Sequence, residues 1–238
     1  MRLKIKLKKD NFEIPVNYQG ILQGFIYNTF ERSKLGNFYH NSGFVADDKI
    51  FKLFVFSNIY GKYKLINKKF IFENNFVFFI ASMDEEFISS IYNYLLINDE
   101  IILNNQKVLI EKIDIIDSKH FFNEKEIILR TLSPVVTYRT EDNYFHYYSP
   151  NDKEFYEIVS NNIKKKYRAY YNDELDFKFK IEEVESYKER IVKFKNTTYK
   201  AYIIRLKVKV NYETLEVILN SGLSAKGSCG FGMMEVIN

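Results

Sequence analysis

Residues 2–9 alternate strictly, with Leu3, Ile5 and Leu7 on one side and Lys4, Lys6 and Lys8 on the other. That period predicts a half-buried strand with a basic outer face, closed off by Pro15. From Asn17 to about Arg32 the spacing turns helical. At about 100° per residue, Tyr18, Ile21, Leu22, Phe25, Ile26 and Phe30 fill half the circumference. Tyr27 falls outside that arc, beside Gly20 and Gly24, so a core role does not account for it. A loop carrying Gly36, His40 and Gly43 follows, then the β-type run Phe51–Ser57, opened by Lys52, and strands near 62–72 and 76–82. Ser82 and Glu85 have capping-box spacing for a helix over 83–98, and Gln106–Asp117 returns as a strand. The order β-α-β-β-α-β, with an extra hairpin, predicts a ferredoxin-like domain.

The polar stretch 117–126 predicts a boundary, dividing the chain into domains 1–120 and 121–238. Beyond it come strands near 126–148, a helix from Asp152 to about Tyr170, three strands over 176–210 and a short segment over 212–220. The expected fold class is therefore α+β, with two tandem ferredoxin-like βαββαβ domains. Arg205, Lys207 and Lys209 alternate with Leu206, Val208 and Val210, giving a second basic strand face. The run Lys164–Arg168 (KKKYR) sits where a helix C-terminus favours cations, and reads as a solvated cap. Together these faces are candidates for tracking a phosphate backbone.

Four of the nine glycines (Gly222, Gly227, Gly230, Gly232) fall in residues 221–237, SGLSAKGSCGFGMMEVI. The order is wrong for a Walker A loop, and no helix follows as a dinucleotide fingerprint requires. The reading is a glycine-rich loop feeding a short C-terminal strand.

Composition narrows the chemistry. One cysteine, Cys229, excludes an internal disulfide, and His40, His120 and His146 lack zinc-ligand spacing. No metal and no cofactor is therefore expected. No apolar run approaches the ~18 residues that span a bilayer, so the expectation is a cytoplasmic protein with no membrane contact. A net charge of +4 permits a polyanionic partner, and 19 Tyr among 17% aromatics leave rings able to stack on bases.

The segments Ile14–Tyr18 (IPVNY), Leu22–Asn28 (LQGFIYN), Phe51–Ser57 (FKLFVFS), Leu132–Val135 (LSPV), Glu154–Tyr156 (EFY) and Gly230–Met233 (GFGM) run in order through the whole chain. In that order the chain resembles the repeat-specific CRISPR endoribonucleases of the RAMP superfamily (Cas six), which trim precursor CRISPR RNA. It departs from the family pattern where the first Gly-x-Gly becomes Gly222-Leu-Ser224. The resemblance implies metal-independent cleavage by 2′-OH attack, leaving 2′,3′-cyclic phosphate and 5′-OH ends. By position it implies His40, Tyr27 and Lys52 as catalytic residues. It also implies RNA binding by Gly222, Lys226, Gly227, Ser228, Gly230 and Gly232, with Arg205, Lys207 and Lys209 as a candidate tracking face. Repeat RNA is the implied partner, and a CRISPR effector complex and a second copy of the chain are further candidates. Three alternatives compete. A non-catalytic RAMP subunit would hold guide RNA without cutting it. A tandem RNA-recognition-motif protein would expose paired aromatics such as Phe70, Phe72, Phe76 and Phe78. A metabolic enzyme on the same fold would need a cofactor motif.

Overall fold

The computed structural model describes residues 1–30, 34–47, 49–116 and 126–237, without the side chains of Lys34 and His40. The first half contains β1 (Arg2–Lys8), β2 (Phe12–Pro15), α1 (Gln19–Asn28), α2 (Lys34–Asn41), β3 (Phe44–Ala46), β4 (Lys49–Phe51), β5 (Phe54–Phe56), β6 (Tyr60–Ile66), β7 (Lys69–Ser82), α3 (Glu85–Leu96), β8 (Glu100–Leu103) and β9 (Gln106–Ile116). Its sheet runs β2-β7-β1-β9-β8, with β5 and β6 also paired to β7. The β-α-β-β-α-β frame is β1, α1, β5, β7, α3 and β9, and the remaining strands decorate it. Leu3, Ile5 and Leu7 of β1 are fully buried under α1 and α3, as the alternation requires.

Several boundaries differ from the sequence reading. The run 51–57 is not one strand: Leu53 takes φ 34°, and this left-handed residue breaks the run and leaves Lys52 between β4 and β5. Asn67 and Lys68, at φ 49° and 60°, turn β6 into β7, which then continues unbroken to Ser82. Asp84, not Ser82, caps α3 by accepting from the Glu86 amide, while the Ser82 hydroxyl donates to the Leu53 carbonyl (2.9 Å). The loop expected around His40 is the helix α2. Gly36 sits inside it because a side chain there would strike the Phe30 carbonyl. Helix α1 ends at Asn28; Arg32 and the 117–125 part of the expected boundary, with His120, lie outside the described residues.

The second half contains β10 (Glu126–Thr131), β11 (Tyr138–Glu141), β12 (Tyr144–Tyr147), α4 (Lys153–Tyr171), β13 (Phe179–Phe194), β14 (Thr197–Val210), α5 (Tyr212–Ser221) and β15 (Met234–Ile237). The sheet order β13-β14-β10-β15 repeats the β-α-β-β-α-β frame. Two long strands occupy 176–210 instead of three. The expected short segment 212–220 is the helix α5, capped by Asn211 and buried on its Leu215, Ile218 and Leu219 face. Phe72, Phe76 and Phe78 are buried and Phe70 packs against Tyr18 and Tyr63, so these rings are core rather than an exposed stacking platform.

The halves share a packed seam. Val55 and Ala81 from the first half bury against Leu132 and Met233 from the second. The Arg2 guanidinium, itself buried, donates across to the carbonyls of Leu219 and Met234. The Met1 ammonium reaches the Asn220 side-chain carbonyl (3.2 Å). No helix among the described residues is long and apolar enough to cross a membrane.

Candidate active site

The glycine-rich residues 222–233 connect α5 to β15 and lie in this seam, with a short 3-10 turn at Gly227–Cys229. Gly222 and Gly232 have φ 76° and 82°, where L side chains are strained. A Cβ on Gly232 would also come within 2.5 Å of the Ser224 amide, and one on Gly222 within 2.7 Å of the Gly232 carbonyl. The missing side chain at Gly232 is what admits Ser224. The Ser224 hydroxyl donates to the Val136 carbonyl (3.0 Å) and accepts from the Lys226 amide (3.2 Å), so the departure from Gly-x-Gly is satisfied internally. From the first half, the Gln23 side-chain amide on α1 donates to the Ser228 carbonyl (2.6 Å).

Beside this segment, at the β4–β5 break, opens a cavity of about 310 Å³. Lys49, Lys52, Lys166 and Lys226 line it together with Tyr138 and Asn162, and no carboxylate among the described residues does. A wider groove of about 580 Å³ continues from it past Lys49, Tyr138 and Asn162 along α4. The concentration of lysines in the cavity, with no described carboxylate in its lining, suits a phosphate group, whereas the groove adds Glu141 beside Arg139 and Lys165. Burial lowers the pKa of Lys52, whose ammonium donates to the Ser42 carbonyl (3.2 Å). Burial also opposes the charge on Lys226, but Tyr138, Tyr199 and Cys229 outweigh it and the net shift is upward.

Lys166 was expected in a solvated helix cap and is instead buried. Its position follows from the helix period, because Phe155, Val159, Ile163 and Lys166 form one buried stripe of α4. Its ammonium donates to the carbonyls of Ser221 (2.8 Å), Gly222 (2.6 Å) and Ser224 (2.9 Å). Burial pushes its pKa down to about 7, against the pull of those three oxygens. Its neighbours Lys165 and Arg168 face the other way and pair with Asp47 of the β3–β4 turn (3.3 and 2.8 Å).

Of the expected site residues, the cavity gathers Lys52, Lys226, Gly227 and Ser228. Tyr27 projects from α1 one turn beyond Gln23, half-buried, with its ring edge against Phe54 (5.8 Å between centroids). A Cβ at Gly20 or Gly24 would meet nothing within 4 Å. Burial, then the adjacent Cys229, push the Tyr27 pKa up to about 12, so the phenol keeps its proton near neutrality. His40 lies in the last turn of α2, two residues before Ser42. His146 is exposed on β12. Arg205, Lys207 and Lys209 do not line the cavity. Arg205 pairs with Glu185, Lys207 with Glu126 (2.6 Å), and Lys209 with Glu126 and Glu182 (3.6 Å each). Sequence reasoning missed Lys166, Gln23, Tyr138 and Asn162. The α4 stripe was the one signal for Lys166, and nothing local marked the others. Among the described residues, no group of three or more His, Cys, Asp and Glu side chains is placed to hold a metal ion.

Two family profiles divide the chain: CRISPR-associated protein Cas6, N-terminal, matches residues 13–114, and CRISPR associated protein Cas6, C-terminal, matches residues 116–236. A Methanocaldococcus jannaschii protein named CRISPR-associated endoribonuclease Cas6 1 is 31% identical over 244 residues, covering 98% of this chain and 92% of its own. A solved structure named CRISPR associated protein Cas6 superposes with a TM-score of 0.80 at 27% identity, covering 100% of this chain and 99% of the other. Another, described as a RAMP protein binding different RNA substrates, shares the fold with a TM-score of 0.81 at 21% identity, covering 100% of both.

Proposed function

Since the chain belongs to the Cas6 family, we propose that the lysine-lined cavity at its seam holds the phosphate at which CRISPR repeat RNA is cut. The protein is a CRISPR-associated endoribonuclease that processes precursor CRISPR RNA. The observation that carries the assignment of the site is the meeting of Lys52, Lys226 and the glycine-rich segment around a cavity with four lysines and no described carboxylate.

In this reading the ribose 2′-OH upstream of the scissile phosphate loses its proton and forms the O2′–P bond. The P–O5′ bond breaks, and the departing 5′-oxygen is protonated. The products are a 2′,3′-cyclic phosphate and a 5′-OH, with water absent from the balance. His40 moves a proton, because imidazole exchanges one near neutral pH. Tyr27, held protonated, donates a hydrogen bond to the nucleophile or to the leaving oxygen. Lys52 and Lys226 stabilise the charge gathering on the phosphoryl oxygens. Residues 1–120 then form the domain that supplies the catalytic side chains, and residues 121–238 the domain whose glycine-rich loop holds the backbone. The same reading assigns the protein to the cytoplasm, with a CRISPR effector complex receiving the product. Incubation of labelled repeat RNA with the protein in EDTA tests it. Site-specific cutting with a cyclic-phosphate end is expected, whereas binding without cutting would make the chain a guide-holding subunit.

A further inference from the structure

The ammonium of Lys166 offers three donors and meets three carbonyls, all from the α5 end and the first turn of the glycine-rich segment. No carboxylate among the described residues pairs with it, so the charge is committed to the loop backbone alone. This is a costly arrangement in a buried site. It has a geometric consequence. A trans peptide holds its N–H opposite its carbonyl, and the chain contains no cis bond. Drawing the Ser224 carbonyl toward α4 therefore turns the Ala225 amide away from Lys166. That amide has no hydrogen-bond partner among the described residues, and Ala225 lines both the seam cavity and the groove beyond it. Lys226, the next residue, projects into the same cavity.

We propose that Lys166 is a positioning residue for RNA cleavage: by gripping the carbonyls of Ser221, Gly222 and Ser224 it sets the peptide planes so that the Ala225 amide and the Lys226 ammonium face the RNA phosphate. The inference rests on the reading of the cavity as the phosphate site. Lys166 touches no RNA in this account and acts through the loop. Its effect therefore falls on the placement of the reacting phosphate rather than on overall binding.

The test compares the full-length wild type with Lys166→Met and Lys166→Arg. Methionine keeps the length and apolar stem without charge or donors. Cleavage is measured in single turnover at saturating enzyme, affinity with a repeat blocked by one 2′-deoxy nucleotide, and folding by thermal melting. A folded Lys166→Met protein is expected to cut about 10²-fold more slowly, the scale of a small misplacement at a reacting centre, with affinity within about threefold of wild type. A folded Met variant cutting at the wild-type rate overturns the proposal. If the Met variant does not fold, Lys166→Arg decides, because it keeps the charge but its planar fork cannot reproduce the three bonds. A folded, slow Arg variant supports positioning. A wild-type rate, or failure of both variants to fold, makes Lys166 a structural residue and overturns it. Wild-type protein that leaves the repeat uncut refutes the endoribonuclease reading and this inference with it, whereas equal cutting by wild type and the Met variant refutes only this one.

Discussion

Two regions of the molecule are rich in cations, and they differ in what surrounds those cations. On β14, Arg205, Lys207 and Lys209 stand on an open sheet face, each beside a carboxylate from β10 or β13. At the seam, Lys49, Lys52, Lys166 and Lys226 converge on a cavity that no described carboxylate enters. The strand pairs are exposed and individually weak, but their carboxylates still place negative charge where a phosphate would approach. Three of the seam lysines, Lys52, Lys166 and Lys226, are partly or wholly desolvated, so their field is less screened than that of the exposed Lys49. A count of basic residues would rank the strand face and the seam alike, while the local balance of charge separates them.

The largest effect is expected at the reacting centre. His40→Ala is expected to slow single-turnover cleavage by about 10²-fold or more with binding nearly intact. Near-wild-type cutting would remove His40 from the mechanism and, with it, the case that chemistry sits at the seam. The next largest effect is on stability. Lys166 titrates near pH 7 folded and near its ordinary value of 10.5 unfolded. Between those values the unfolded chain holds more protons, so stability rises with pH, and below pH 7 the contribution is flat. Relative to Lys166→Met, the wild type should gain up to roughly 2 kcal/mol from pH 7 to 9, read from paired melting curves. Parallel curves would mean that Lys166 is not desolvated as described. Lys226→Gln should weaken repeat binding by roughly 3–10-fold and lower the salt slope by about one. The smallest effect is expected on the strand face. Replacing Arg205, Lys207 and Lys209 together by Gln should leave affinity within about twofold and the salt slope unchanged. A markedly flatter slope there would show that RNA displaces the glutamates and would erase the distinction.

How far these regions could be read from sequence depends on whether their cause is local. The β1 alternation and the α1 stripe recur at fixed periods, so they and the β-α-β-β-α-β order of the first half were legible, whereas in the second half α5 read only as a short segment. The helix α2 was not, because Gly36 resembles a loop residue until the Phe30 carbonyl beside it is known. Leu53 gives no local sign that it will adopt φ 34° and free Lys52 from the strand. The charge run at 164–168 hid the one member that follows the apolar stripe of α4. The glutamates that pair with the β14 cations come from β10, far away in sequence, and from β13 across the hairpin, and strand register brings both alongside. Tyr27 lies outside the core arc read from the sequence, yet its ring packs against the first-half core beside Phe54, and nothing local marked its neighbour Cys229.

In the proposed mechanism the attacking oxygen belongs to the RNA, and the seam supplies only proton transfer and positive charge. A repeat RNA carrying a single 2′-deoxy nucleotide just upstream of the scissile phosphate, incubated with the wild-type protein in EDTA, separates this from hydrolysis by an activated water. This RNA should be bound but not cut, while the unmodified repeat should be cut under the same conditions and end in a 2′,3′-cyclic phosphate. A magnesium-dependent cut through the deoxy position, leaving a 3′-OH, would contradict that mechanism.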